Sequence, residues 1–192
     1  LKRWLTQPPP ERAPFYEDTW RETCQTRFFH SFFALCDLAQ EGIWPAERWR
    51  EAFQAWSEEG LVRRSWRFAA PLMQKIPDEI IRENAHSFSW WLEASSKSIE
   101  CHESILKNLC HRVLEIPYQD YVDAEQPVSR AINHPIGHVT KALLNLWFKR
   151  EPNDNDSLAS DIEPFFTRLC DAGVEKFRHG RVLLASRLIA LF

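Results

Sequence analysis

Apolar side chains recur at intervals of three and four residues along most of the chain, which is the spacing of an α-helix that turns one face to a core. The clearest example is the segment 19–40, which we predict to be one helix ending before Gly42. Its apolar stripe consists of Cys24, Phe28, Phe32, Leu35 and Ala39, widened by Phe29, Phe33 and Cys36. Since no segment shows the two-residue alternation of a strand between turn signals, we predict an all-α fold.

The same spacing predicts about eight helices in total. The second covers 45–60, and the third covers 61–75, where Pro71 should kink or split it. The remaining five helices begin near residues 78, 100, 135, 160 and 178. A long connection with one short helix is expected over 116–134. Gly137 lies early in the sixth helix, where a small residue allows another backbone to approach closely.

We expect these helices to form successive antiparallel pairs. Helices paired in series are typical of an α-solenoid of the HEAT or armadillo type, and an irregular helical bundle is the alternative. Residues 1–16 are rich in proline and should form an extended lead or linker, followed by a single helical domain over 17–192. The chain starts at Leu1 rather than Met and stops at Phe192 within an apolar periodic segment, so we expect it to be part of a longer protein.

The amino-acid composition argues against several classes of function. The chain has 9 Trp but only 5 Gly, too few for the glycine-rich loops that cradle phosphates or dinucleotides. Its 24 Lys+Arg and 27 Asp+Glu give a net charge of −3, which is not typical of a general nucleic-acid binder. The five cysteines form no C-x-x-C pair, and no apolar run suits a signal peptide or a membrane span. We therefore expect a cytoplasmic domain with no membrane partner and no cofactor.

Motifs for catalysis and metal binding are weak. His102 and Glu103 begin like the H-E-x-x-H motif of zinc proteases, but leucine stands where the second histidine is needed. His134 and His138 lie four residues apart, yet no third ligand accompanies them and Pro135 puts His134 at the start of a helix. We predict no catalytic or metal site in this segment, and a metal-dependent or other hydrolase is our third hypothesis.

A cluster of basic and aromatic residues is the best candidate for recognition. Arg63, Arg64 and Arg67 flank Trp66, and Arg48 lies on the preceding helix. Because arginine pairs with phosphates and stacks on aromatic rings, a nucleic-acid-binding helical module is one hypothesis. The alternative is that these arginines cover the edges of aromatic core residues and pair with neighbouring glutamates.

Two adjacent tryptophans are further candidates for a contact surface. Trp90 and Trp91 cannot both face one core, because neighbouring positions on a helix lie about 100° apart. The predicted interaction surface therefore comprises Arg48, Arg63, Arg64, Trp66, Arg67, Trp90, Trp91, His134 and His138.

The segment Asn133–Phe148, with the sequence NHPIGHVTKALLNLWF, is similar to the central helix of an uncharacterised bacterial helical domain that follows sirtuin-like domains. The resemblance implies a place in an anti-phage defence protein, in which the sirtuin-like part consumes NAD and the helical part senses or assembles. It implies no functional residue for this chain. Our first hypothesis is a non-catalytic interaction, sensor or assembly domain, whose partner is a protein or another part of the same chain.

Overall fold

A computed structural model describes residues 5–7, 19–118, 126–153 and 157–189. These residues form eleven α-helices, one short 3-10 helix and no strand, which confirms the predicted all-α class. The proline-rich lead predicted for 1–16 lies outside the described residues except for 5–7, where Leu5 is buried. None of the described helices combines the length and the apolarity needed to cross a membrane.

The described helices are short, and several follow one another almost directly. In chain order they are α1 (Thr19–Thr26), α2 (Phe28–Gln40), α3 (Ala46–Trp56), α4 (Glu59–Met73), α5 (Asp78–Glu83), α6 (Ala85–Ser96), α7 (Glu103–Glu115), α8 (Pro127–Asn133), α9 (Pro135–Phe148), α10 (Glu163–Cys170) and α11 (Arg178–Ile189). The 3-10 helix Glu175–Phe177 precedes α11.

Single residues break two of the predicted helices. The helix predicted over 19–40 breaks at Arg27, which has φ −130° and ψ 57°. The helix predicted from residue 78 breaks at Asn84, whose side-chain Nδ2 donates to the carbonyl of Ile80 at 3.1 Å. Because the chain turns at a break, successive helices pack on different neighbours: α1 packs on α3, whereas α2 packs on α4. The apolar spacing continues across each break, so the pattern alone does not show it.

The predicted roles of one glycine and one proline are wrong. Gly60 does not end α3 but lies in the first turn of α4, and Pro71 lies within α4 without splitting it. Proline removes the hydrogen bond that its own N–H would donate, and its ring crowds the carbonyl four residues earlier. Since α4 ends soon afterwards at Met73, the helix tolerates this loss.

Helix α6 lies at the centre of the described helices. It packs most extensively on α9 and also contacts α3, α4, α5 and α7. In a solenoid each unit contacts only its neighbours along the series. These contacts do not show that arrangement, and they make α6 the element around which the others gather.

Aromatic rings fill the space between α3, α4 and α6. The ring of Trp91 is fully buried, and its centroid lies 5.2 Å from that of Trp66 and 5.5 Å from that of Phe53. Its indole N–H donates to Ser65 Oγ at 2.9 Å. Phe53 also meets Phe88 edge-on at 5.0 Å. Such pairs add about 0.5–1.5 kcal/mol each beyond the area they bury, so much of the aromatic excess serves the core.

Gly137 brings the backbones of α8 and α9 close together, as the sequence predicts. A Cβ atom at this position would overlap the carbonyl oxygen of Ala131 and lie 2.8 Å from its carbonyl carbon. Because the obstacle is backbone rather than a movable side chain, we expect Gly137→Ala to lower the free energy of unfolding by about 1–3 kcal/mol. Urea unfolding followed by circular dichroism measures this loss.

Gly60 provides the matched control for that substitution. A Cβ atom added at Gly60 would meet nothing within 4 Å. Gly60→Ala should therefore leave the free energy of unfolding unchanged or raise it by about 0.4–1 kcal/mol. Equal losses from the two substitutions would show that the close approach at Gly137 is not what makes glycine necessary there.

Candidate functional site

Several of the predicted contact residues lie in the interior. Arg48, Trp66, Trp91 and His138 are all buried. The indole N–H of Trp66 donates to the carbonyl of Cys101 at 2.8 Å, so this ring belongs to the core. The assignment of these four residues to a contact surface is wrong, because the apolar stripes of α4 and α6 turn both tryptophans inward.

The three arginines of α4 and one tryptophan of α6 lie at the surface. The buried stripe of α4 leaves Arg63, Arg64 and Arg67 exposed on the opposite side. Trp90 is 39% exposed. Its neighbour Trp91 occupies the inward position, in keeping with the 100° separation of adjacent helix positions.

Three exposed phenylalanines accompany these arginines. Phe29 and Phe33 of α2 are 41% and 59% exposed, and Phe68 of α4 is 42% exposed. The ring of Phe29 lies 5.2 Å from that of Phe68 and 6.1 Å from that of Phe33. The guanidinium of Arg64 lies 5.9 Å from the Phe29 centroid, and that of Arg67 lies 6.0 Å from the Phe68 centroid. We call these five residues the aromatic–arginine face.

The apolar pattern assigns Phe29 and Phe33 to the core stripe, and the structure shows that this is wrong. Phe28 and Phe32, which the pattern also assigns to this stripe, are buried as predicted. Adjacent helix positions point about 100° apart, so the two members of each phenylalanine pair cannot both turn inward. The spacing rule that separates the tryptophan pair of α6 therefore also identifies this face.

A cleft of about 340 Å³ shares two arginines and one phenylalanine with the aromatic–arginine face. It lies between α4 and the segment that joins α6 to α7. At its rim Arg63 forms an ion pair with Glu100, and both side chains are exposed. Ser95 and Ser98 also line the cleft, and their hydroxyl oxygens are buried without a hydrogen-bond partner among the described residues. The cleft thus combines exposed charge with buried polar groups that lack partners.

A second polar cluster is buried between α6 and α9. Oε2 of Glu93 lies 2.5 Å from Nδ1 of His138 and 2.6 Å from Nζ of Lys141. Burial alone would raise the pKa of Glu93, but the hydrogen bonds from His138 and Lys141 outweigh it and bring the pKa below its ordinary value. The ring of His86 approaches that of His138 edge-on at 5.2 Å. Burial is the main cause that lowers the pKa of His86, and the nearby His138 and Lys141 lower it further.

This cluster has one part of a hydrolytic site but not the others. A carboxylate that orients a histidine is found in hydrolases, where the second imidazole nitrogen bonds to a nucleophile. Here Nε2 of His138 is buried and has no hydrogen-bond partner in the described part of the chain. The pair therefore fits a structural link between α6 and α9 better than a general base.

His134 has different contacts from His138. Its Nδ1 accepts from the backbone N–H of Ile136 at 3.1 Å at the start of α9, and its ring stacks on that of His179 at 4.1 Å. Across the described ranges, no group of three histidine, cysteine or carboxylate side chains is arranged to hold a metal ion. Burial raises the pKa of the Cys110 thiol to about 12, so a thiolate there is unfavourable at neutral pH.

Comparisons with known proteins add no information on this site beyond its geometry. No family model, curated protein or solved structure matches the chain.

Proposed function

We propose that the chain is a non-catalytic docking domain whose aromatic–arginine face binds a protein segment carrying both acidic and apolar side chains. The observation that carries this proposal is the exposure of three phenylalanine rings beside two arginines. Aromatic residues and arginine are enriched in protein interfaces relative to the remaining surface. Apolar side chains of the partner would cover the rings, and its carboxylates would pair with the guanidinium groups.

The charge at this face supports an acidic partner. The whole chain has a net charge of −3. Arg64 and Arg67 nevertheless form no ion pair with a carboxylate among the residues that the structure describes. An acidic segment would therefore be oriented towards this face, whereas most of the surface would repel it.

Single-stranded nucleic acid is the second candidate, since exposed aromatics with arginines also bind bases and phosphates. The geometry favours a protein. Bases stack on open ring faces, but guanidinium groups lie over the rings of Phe29 and Phe68. Phe29 and Phe68 meet at 76°, so within this face only Phe29 and Phe33, whose ring planes differ by 22°, are close to parallel.

We also place this domain in a larger cytoplasmic bacterial defence protein, as its sensor or assembly part. The resemblance of Asn133–Phe148 to the helical domain that follows sirtuin-like domains supports this context. The gathering of helices around α6 favours an irregular bundle over a solenoid. A reducing compartment is supported by the free thiols of Cys36, Cys101, Cys110 and Cys170.

Synthetic peptides test the docking proposal. A fluorescent peptide of about 12 residues that mixes Glu and Asp with Leu and Phe should bind, as measured by fluorescence anisotropy. Lysine in place of its acidic residues, or serine in place of its apolar residues, should weaken binding at least about tenfold. Phe33→Ser and Arg64→Gln should each weaken binding by roughly 5- to 30-fold, because each removes about 1–2 kcal/mol of contact.

Phe148 offers a matched control. It is 52% exposed at the end of α9 and does not belong to the aromatic–arginine face. Phe148→Ser should leave peptide affinity unchanged. Tighter binding of a single-stranded oligonucleotide, with the same loss in Phe33→Ser and Arg64→Gln, would overturn the proposal in favour of nucleic acid. Absence of peptide binding, or an equal effect of Phe148→Ser, would also overturn it.

A further inference from the structure

The cleft beside the aromatic–arginine face contains polar groups that the docking proposal does not use. Ser95 lines the cleft and is 1% exposed, and its Oγ has no hydrogen-bond partner in the part of the chain that the structure describes. Oγ of Ser98, which also lines the cleft, is buried without a partner as well. Buried hydroxyls in native proteins are normally hydrogen-bonded. Two unpartnered hydroxyls at one cleft are therefore available as donors to a ligand with acceptor oxygens.

The charged groups of the cleft indicate what that ligand is. Its lining includes three arginines of α4 and one carboxylate, that of Glu100. Three guanidinium groups against one carboxylate leave an excess of two positive charges. A phosphate monoester carries a charge of about −1.5 to −2 at neutral pH and has three strong acceptor oxygens, whereas a carboxylate carries a single charge.

We propose that this cleft binds the phosphate group of a phosphate monoester. Arg64 and Arg67 donate N–H groups to the phosphate oxygens. The hydroxyl oxygens of Ser95 and Ser98 are covered by the cleft wall in this structure, and their side chains turn towards the phosphate when it binds. The ring of Phe68 is 42% exposed, and the part of it that Arg67 does not cover provides an apolar surface for the organic part of the ester. A volume of about 340 Å³ lies within the usual range of small-molecule sites.

Glu100 has a defined part in this site. Its carboxylate pairs with Arg63 at the rim, where both side chains are exposed. A bound phosphate competes with this carboxylate for the guanidinium of Arg63. Glu100→Gln should therefore strengthen phosphate binding by roughly two- to fivefold, because it removes the competitor and one negative charge.

Isothermal titration calorimetry with three probes tests the proposal: inorganic phosphate, phenyl phosphate and benzoate. Phenyl phosphate should bind at least about tenfold more tightly than benzoate, because only the phosphate matches the charge of the cleft. It should also bind more tightly than inorganic phosphate, because Phe68 contacts its ring. Equal affinity for the two phosphates would overturn the assignment to an ester, and benzoate binding as tightly as phenyl phosphate would overturn the assignment to phosphate.

Two variants separate binding from folding. Ser95→Ala should weaken phenyl phosphate binding by roughly three- to tenfold without lowering the melting temperature, because it removes a buried hydroxyl that makes no hydrogen bond. A lower melting temperature with unchanged binding would show a structural role instead.

Arg67→Gln should weaken binding at least tenfold. Arg82→Gln removes the same charge from an exposed site on α5 outside the cleft and should leave binding unchanged. An equal loss in Arg82→Gln would mean a non-specific charge effect and overturn the proposal.

This site does not depend on the docking proposal, although it shares residues with the aromatic–arginine face. Phe33→Ser should weaken peptide binding as stated above and leave phenyl phosphate binding intact, since Phe33 does not line the cleft. Ser95→Ala should have the opposite pattern. The failure of either proposal is therefore distinguishable from the failure of the other.

Discussion

Replacing Trp91 by alanine is expected to lower the free energy of unfolding by about 3–5 kcal/mol, the cost of removing a large aromatic side chain from a core. Trp91 is fully buried on the central helix α6. Its ring contacts Phe53 of α3 and Trp66 of α4, and its N–H donates to Ser65. Since whole domains are stable by only about 5–15 kcal/mol, the variant should lose a large part of its stability in urea unfolding.

The neighbouring tryptophan is the control for this substitution. Trp90→Ala removes the same side chain from a position that is 39% exposed, so the loss should stay below about 1 kcal/mol. Trp91→Phe should lie between the two, because it keeps an aromatic ring but removes volume and the N–H donor. Similar losses from Trp90→Ala and Trp91→Ala would contradict the orientation of α6 described above.

The second large effect is expected from Glu93→Gln, which should lower the free energy of unfolding by about 3 kcal/mol. The carboxylate of Glu93 is the partner of Lys141, whose side chain is 14% exposed, and of the buried His138. Removing its charge leaves the ammonium group of Lys141 largely buried without a counter-ion, which costs more than the pair itself contributes. Urea unfolding at pH 7 measures the loss.

A double substitution distinguishes this explanation from a simple loss of packing. Glu93→Leu with Lys141→Met replaces the charged pair by apolar side chains of similar size. The double variant should be more stable than either single variant, since no buried charge remains without a partner. Additive losses would show that the pairing of Glu93 and Lys141 contributes nothing.

The same cluster predicts a loss of stability in acid. The folded-state pKa of Glu93 lies below its ordinary value of 4.5, so its contribution is fully present above about pH 4.5 and is lost as the pH falls through the folded-state pKa. The pKa of His86 lies below its ordinary value of 6.5, so the folded state favours the neutral ring and this contribution is lost as the pH falls below about 6.5. Stability should fall from pH 7 to below pH 4, with the contribution of Glu93 lost below about pH 4.5. His86→Gln should reduce the loss of stability just below about pH 6.5, and Glu93→Gln should reduce the loss below about pH 4.5. A rise of stability on acidification would contradict both assignments.

The helical class could be predicted from the sequence, but the helix boundaries only in part. Apolar spacing identifies nearly every described helix, and a small residue early in α9 correctly indicates close backbone approach at Gly137. The break at Arg27 carries no local signal, whereas Asn84 is a residue type that commonly caps helices, a signal that the apolar spacing does not record. Both breaks follow from tertiary packing, because the helices on either side bury their stripes against different neighbours.

The candidate site could also be predicted from the sequence only in part. The exposure of Arg63, Arg64 and Arg67 follows from the apolar stripe of α4, whereas the burial of Trp66 follows from the same stripe and contradicts its assignment to a contact surface. The cleft could not be predicted, because Ser95 and Ser98 meet α4 only after the chain folds back. The link between Glu93 and His138, 45 residues apart in the chain, depends on folding in the same way.

Photo-cross-linking tests most directly the central claim that the aromatic–arginine face docks a protein. A photoreactive phenylalanine analogue at position 33 of the full-length protein is activated in its own cells, with position 148 as the control. We predict cross-links from position 33 to one protein segment that is acidic and carries apolar side chains, lost when Arg64→Gln and Arg67→Gln are added. Cross-links to nucleic acid, or the same products from positions 33 and 148, would contradict the claim.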